Sequence, residues 1–503
     1  MLGRLFAIPP RFPARPPPMT FPAWFSALAL VLDFAVRLWL AYRIVMRRLP
    51  VGVSLAWLLV ILVFPFLGSI GYLLLGEYHL GWHRLQRILD VEKEWRVVSQ
   101  GIASLGPIRQ LLEHPEESRL ARLAASTFLA PPLQGNELRL LDGADEVFPA
   151  LLEDIDAAQE SCDFLFYIWS SGGRVDQVEE ALRRAAARGV RCRILVDAMG
   201  SSAFLRDGRA EELRRAGIAV QPALPSGLLS LPFVRPDLRL HRKIIVIDHK
   251  VGYTGSLNMA DPVSFKQDAG VGQWVDAMVR TRGPVVLAMA ASFLSFWSVE
   301  TAQEADRAEW MEDAHKVQPV GSACVQVLSS GPAVRVEAME QVVLTALYSA
   351  RREVILTTPY FVPSESLLTA LLSVAGSGVA VTLILPAQVD SALVRFASRA
   401  YQKELVDAGI RVALYEGGLL HTKSITIDDS LTLFGSLNLD PRSLRLNFEI
   451  TLTVYDEEFN GRVKALQTTY LQRCRIVNEE LLRRETHAMQ FVQNTARLLG
   501  PVL

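Results

Sequence analysis

Five residue types return at one spacing. His241, Lys243, Asp248, Ser256 and Asn258 are repeated 180 positions later as His421, Lys423, Asp428, Ser436 and Asn438. Both copies fit His-x-Lys, four residues, Asp, six residues, Gly-Ser-x-Asn. One His-x-Lys carries no information, but two complete copies with identical internal spacing are not a chance match. Imidazole is a nucleophile or a general acid near neutral pH. Lysine is a compact charge suited to phosphate, and Ser and Asn add hydrogen bonds to developing negative charge. Two histidines can therefore share a double displacement at phosphorus. One attacks while the other protonates the departing oxygen, and each then reverses its role. No metal-ligand cluster accompanies the set, so the chemistry expected is phosphoryl transfer without a metal or other cofactor.

The elements that hold these groups are legible in the same stretches. Residues 244–247 and 424–427 are β-branched runs, each followed by a short polar break and a second apolar run, which reads as a hairpin. With two-residue turns at His249-Lys250 and Asp429-Ser430, Lys243 faces Ser256 and His241 faces Asn258. In the second copy Lys423 faces Ser436 and His421 faces Asn438. Opposed residues share a face, as do residues two apart on one strand, so His, Lys, Ser and Asn converge on one patch in each copy. Asp248 and Asp428 fall at the turns with opposite parity, which suits a turn-forming aspartate better than a catalytic one.

At these residues the chain resembles the phospholipase D superfamily and, within it, the bacterial cardiolipin synthases of the A type. The resemblance is carried by DLRLHRKIIVID, YTGSLNMADPVSFKQDAGVGQWVDAM, TTPYFVPS, EGGLLHTKS and GSLNLDPRSLRLNFEI, and it covers nearly the whole chain from about residue 20. It implies that two phosphatidylglycerols are joined into cardiolipin, with release of glycerol, through a phosphohistidine. It also implies His241, Lys243, Asp248, His421, Lys423 and Asp428 as the catalytic set, with His241 as nucleophile and His421 as acid/base. A carboxylate downstream of each motif is implied to orient a histidine, and the matching positions are Asp276 and Glu449. A carboxylate on one imidazole nitrogen fixes the tautomer and stabilises the imidazolium. Both acids lie in apolar, strand-like runs where an unpaired carboxylate is costly.

Transfer and hydrolysis share the covalent intermediate, so a hydrolytic phospholipase D, or a transferase using another alcohol, stays open. A nuclease of the same superfamily is disfavoured by the two motifs and the apolar N-terminus. An inactive scaffold is disfavoured because no motif position has decayed.

The 503 residues leave room for two or three domains. Half are hydrophobic, the mean hydropathy is +0.23 and the formal net charge is −1, which argues against a nucleic-acid partner. Cys162, Cys192, Cys324 and Cys474 are scattered and read as reduced, mostly buried thiols. After a Pro-rich arm (1–20), residues 21–46 and 51–75 are apolar stretches, each long enough to cross a bilayer as a helix of about 20 residues. Asp33 and Arg37 share a face of the first, where they can neutralise one another or meet the second helix. A signal peptide fits this segment less well, because the apolar region is too long and a second follows at once. Seven basic residues flank the pair on one side against three in the loop between, so the positive-inside rule places the body in the cytoplasm. The resemblance implies the bacterial inner membrane as the setting, multi-pass, with phosphatidylglycerol and other phospholipids as partners.

A helical connector (76–132) leads to two similar halves, 133–315 and 316–503. Strand, helix, strand, helix and hairpin recur in order, an α/β pattern in which helices flank a mixed sheet. The expected fold is two pseudo-symmetric phospholipase D-like domains meeting at one cleft, behind an N-terminal two-helix transmembrane hairpin. One difference stands out: 24 residues separate Gly217 from His241, and 12 separate Gly409 from His421. Within the insert (223–238), Leu228, Leu229, Leu231 and Phe233 either dip into the bilayer and grip acyl chains or tuck onto the core. The C-terminal stretch VKALQTTYLQRCRIVNEELLRRE reads as helices used for packing.

Overall fold

The computed structural model describes residues 23–47, 49, 51–76, 81, 84–90, 115–224, 235, 237–301, 317–332, 336–483 and 486–498. They fall in two compact units, Met1–Tyr78 and His79–Leu503. The Pro-rich arm, most of the connector and the apolar insert residues Leu228, Leu229, Leu231 and Phe233 lie outside the described residues.

In the first unit, α1 (Ala23–Met46) is a 24-residue helix and α2 (Val51–Val63) has 13 residues. The second apolar stretch is not one helix. Pro65 follows α2, and short helical turns cover Leu67–Gly71 and Tyr72–Gly76, because proline has no N–H to continue the ladder. Among the described residues, no helix is long and apolar enough to cross a membrane. Asp33 and Arg37 do both things open to them. They pair at 2.7 Å, and each also reaches across, Asp33 accepting from the Phe66 N–H at 2.9 Å and Arg37 donating to the Leu62 carbonyl at 3.3 Å.

Among the described residues, the second unit is built on one mixed sheet of 15 strands. The first half supplies β1 (Leu133–Asp142), β2 (Ser161–Phe166), β3 (Arg191–Asp197), β4 (Ala219–Ala223), β5 (Ile244–Ile247), β6 (Val251–Gly255) and β8 (Ala277–Arg282), with a short β7 (Trp274–Val275) outside the sheet. The second supplies β9 (Ala323–Ser330), β10 (Glu353–Thr357), β11 (Ala380–Pro386), β12 (Arg411–Tyr415), β14 (Ser424–Ile427), β15 (Leu431–Gly435), β16 (Glu449–Tyr455) and β17 (Cys474–Ile476), with β13 (Leu419–Leu420) apart. Outward from the middle the order is β1-β8-β6-β5-β2-β3-β4 on one side and β9-β16-β15-β14-β10-β11-β12-β17 on the other. Strand for strand the halves match, except that β17 beyond β12 has no counterpart in the first half. They are joined edge to edge, because β1 pairs antiparallel with β9.

Apolar residues of each half cover the sheet with helices. Arg174–Ala187 packs Val175, Val178, Leu182 and Ala185 into the first core, and Glu365–Gly376 packs Leu367, Ala370, Leu371 and Val374 into the second. Cys162, Cys192 and Cys324 are buried thiols in these cores and Cys474 is half-buried. One expectation at the C-terminus is corrected. Glu457–Leu471 and His487–Leu498 are helical, but Cys474–Ile476 between them is an edge strand paired with β12.

Both motifs form hairpins, with the register one residue away from the expected one. Ile247 pairs with Val251 and Ile427 with Leu431, so the loops are 248–250 and 428–430. Asp248 and His249 both take left-handed φ, near 50°, and the Lys250 N–H donates to the Ile247 carbonyl at 2.9 Å. Aspartate tolerates the left-handed region better than most residues, and this moves the turn one residue earlier than a His249-Lys250 apex.

Candidate active site

Each histidine precedes its motif strand and is held by the other half of the chain. The His241 N–H donates to the Phe448 carbonyl and the Phe448 N–H to the Arg239 carbonyl, both at 2.9 Å. In the second copy β13 runs parallel to β7, and the His421 N–H donates to the Val275 carbonyl at 2.8 Å. These clamps bring the carboxylates into place crosswise. His241 Nδ1 lies 2.8 Å from Glu449 Oε2, and His421 Nδ1 lies 2.6 Å from Asp276 Oδ1. The carboxylate downstream of one motif thus serves the histidine of the other. Because a carboxylate only accepts, Nδ1 carries the proton in each neutral ring and Nε2 is left with its lone pair.

Both rings line one cleft of about 260 Å³, with Asn258, Asn438, Tyr167, Trp274, Tyr360, Arg239 and Arg442 among its walls. Asn258 turns its carbonyl to the Ile168 N–H at 3.3 Å, so its amide N–H groups are available on the cleft side. Burial pushes both imidazoles down to about 4; Glu449 and Asp276 pull the other way and the two motif lysines reinforce the burial. Burial raises the two carboxylates, but the adjoining histidines and lysines more than reverse this, and both end below the usual carboxylate range. The site at rest is therefore two neutral imidazoles on two ionised acids.

Lys243 and Lys423 are buried. Lys243 Nζ donates to the His241 carbonyl at 2.7 Å and Lys423 Nζ to the His421 carbonyl at 2.5 Å. Each ammonium has three donors, so these bonds aim the lysine without exhausting it. Burial lowers Lys243 to about 8 and takes Lys423 well below its ordinary value, with Glu449 and Asp276 among the groups opposing this.

Two expectations are corrected. Ser256 and Ser436 do not face the cleft; they donate to Asp276 at 2.6 Å and to Glu449 at 2.5 Å and so steady the carboxylates. Asp248 and Asp428 stand at the far end of their strands from the histidines. Asp248 accepts from the N–H groups of Gln159, Glu160 and Ser161 at 2.8–2.9 Å. Asp428 accepts from those of Arg351, Arg352 and Glu353 at 2.8–3.1 Å. They tie the hairpin to the start of β2 and of β10. Asp428→Ala is expected to lower unfolding free energy by about 3 kcal/mol, since three N–H groups lose an ionised acceptor. Activity per folded molecule should be retained; its collapse at an unchanged melting temperature would return Asp428 to the chemistry.

Other site residues escaped sequence reasoning. Arg242 looks like filler between His241 and Lys243, yet it is buried and joins the halves. Its guanidinium donates to the Glu449 carbonyl at 3.0 Å, to Ser292 Oγ at 2.9 Å and to the Ser330 carbonyl at 2.9 Å. Asp440, pushed up to about 6 by burial, caps the helix Pro441–Arg445 and lines the cleft. An Asp-Pro pair is the signal that was there to find, because Asp is a preferred N-cap and Pro a preferred first helical residue.

Known proteins are similar to this chain over most of its length. A family model described as cardiolipin synthase, phospholipase D-like domain, matches residues 151–282 and 343–468, one match in each half. A second, described as phospholipase D-nuclease N-terminal, matches residues 35–77. Cardiolipin synthase A of Citrobacter koseri is 42% identical over 442 residues, covering 87% of this chain and 90% of that protein. Cardiolipin synthase A of Erwinia tasmaniensis is 39% identical over 486 residues, covering 95% and 99%. Among solved structures, the phosphatidylserine synthase of Haemophilus influenzae superposes with a TM-score of 0.57 at 14% identity, over 76% of this chain and all of that one, a likeness of fold. Two motif-bearing halves, matched by the same family and conjoined at one cleft, place the chain in the cardiolipin synthase family of phospholipase D-like proteins.

Proposed function

We propose that this protein is a cardiolipin synthase that moves a phosphatidyl group from one phosphatidylglycerol to another. The observation that carries this reading is the pair of imidazoles in one cleft, each with Nδ1 on a buried carboxylate and Nε2 available. In the first step His241 Nε2 attacks phosphorus, the bond from phosphorus to the glycerol oxygen breaks, and protonated His421 gives that oxygen a proton. Glycerol leaves. In the second step the terminal hydroxyl of the acceptor phosphatidylglycerol returns a proton to His421 and its oxygen attacks phosphorus. The P–N bond then breaks and His241 is regenerated. Binding an anionic phosphate between the rings favours the protonated imidazole that the first step needs. Lys243, Lys423 and the Asn258 amide support the charge that builds on the phosphoryl oxygens. Buried Glu449 and Asp276 offset the imidazolium formed at each stage.

The first unit suits an anchor in the inner membrane. Trp24, Leu28, Val31, Phe34, Leu38, Leu55, Leu59 and Leu62 all expose large apolar surface, and contiguous surface of this kind marks a protein or membrane contact. The distribution of basic residues supports a cytoplasmic side for the catalytic unit.

Product analysis with phosphatidylglycerol as the sole lipid tests the reading. Cardiolipin and glycerol in equal amounts are expected; phosphatidic acid and glycerol without cardiolipin would make the protein a hydrolase.

A further inference from the structure

The halves also differ between the motif asparagine and the carboxylate. Eighteen positions separate Asn258 from Asp276, but eleven separate Asn438 from Glu449. The longer segment carries Lys266 and Trp274 to the cleft wall beside His421, and neither has a part in the mechanism above. Trp274 is buried with its ring 4.5 Å from the His421 ring, and its indole N–H has no hydrogen-bond partner. A buried donor left unpaired is costly unless a ligand meets it. Lys266 stands over the Trp274 and Phe265 rings at 5.5 and 5.6 Å, half-exposed, and its carboxylate contact with Asp390 is long at 3.5 Å. Its backbone holds a left-handed φ of 48°, unusual for lysine. Two arginines also line the cleft, Arg442 paired with Asp237 at 3.2 Å and Arg239 bonded to the Leu238 carbonyl at 2.7 Å.

Transfer between two phosphatidylglycerols differs from hydrolysis in one electrostatic respect. The acceptor brings its own phosphodiester, one glycerol away from the attacking hydroxyl, while the motif lysines are committed to the phosphate being transferred. We propose, building on the transferase reading above, that the Lys266 ammonium and the Trp274 indole N–H bind the acceptor's own, untransferred phosphate. This holds the acceptor's terminal hydroxyl at His421 Nε2 and favours a phospholipid acceptor over water. A cation and a neutral donor suit a phosphate monoester anion's oxygens as they do a diester's, so the assay must isolate the lipid source.

Two reactions separate the sources in one tube of phosphatidylglycerol and labelled free glycerol. Cardiolipin formation needs the second phosphate; exchange of labelled glycerol into phosphatidylglycerol does not. Lys266→Gln and Trp274→Phe should each lower the ratio of cardiolipin to exchange about tenfold, the scale of one lost hydrogen bond to a charged group. Lys266→Arg should recover most of that loss. An unchanged ratio, whether both activities persist or both fall together, overturns the proposal. Wild-type protein that exchanges glycerol yet forms no cardiolipin overturns the transferase reading itself, a result distinct from either.

Discussion

Replacing either His241 or His421 with alanine should reduce cardiolipin formation by about 10⁴-fold or more, as expected for groups that act as a unit. The two losses should not be additive, so the double variant should be hardly worse than either single one. The variants should also differ in kind. Without His241 there is no atom to carry the phosphatidyl group, and label from the donor lipid should never become covalent. Without His421 the nucleophile survives but the glycerol oxygen leaves unprotonated, so a slow first step on a donor with an activated leaving group should remain. Both rings are almost wholly buried, so melting curves of the variants must accompany the assays. Full turnover in either alanine variant would remove one histidine from the chemistry and the composite site with it.

The next largest effect belongs to the carboxylates, and its direction tests the crossed pairing. Glu449→Gln should act on His241 and Asp276→Asn on His421, each costing about 10²- to 10⁴-fold, because an amide supports the wrong tautomer and offers no charge to the imidazolium. The pH profile separates them. Asp276 raises the His421 pKa against the burial that lowers it, so its loss should lower that pKa further. A general acid is needed protonated, and the alkaline limb of the rate profile should therefore move to lower pH in Asp276→Asn. Glu449 does the same for His241, where the neutral form is needed, so the acidic limb should move to lower pH in Glu449→Gln. If each substitution moved the limb belonging to the histidine of its own half, the crossed geometry would be wrong.

Much of this is legible in the sequence. The two β-branched runs between Lys243 and Asp248 and between Lys423 and Asp428 are the hairpin strands, and the repeat order reproduces the order of strands on either side of β1 and β9. The turn parity that set Asp248 and Asp428 apart from the chemistry agrees with their bonds to backbone N–H groups. Other features depend on pairings that sequence distance hides. Asp276 is closer in sequence to His241 than to His421, yet the parallel pairing of β7 with β13 delivers it to His421. The hairpin register slipped because a left-handed aspartate moves the apex by one residue, and a slip of one exchanges the facing partners. Arg242 was passed over because its parity is opposite to the histidine and lysine beside it; that parity sends it between the halves, where it bonds Ser292 and Ser330. Pro65 was the visible signal that 51–75 is not one helix.

Covalent trapping asks the central question most directly. Wild-type protein mixed with phosphatidylglycerol labelled at phosphorus, quenched in base within a single turnover and digested, should yield an acid-labile label on the peptide containing His241. His241→Ala should yield none. Rapid turnover by wild type with no covalent label at any time, or a label that persists in His241→Ala, would contradict the account.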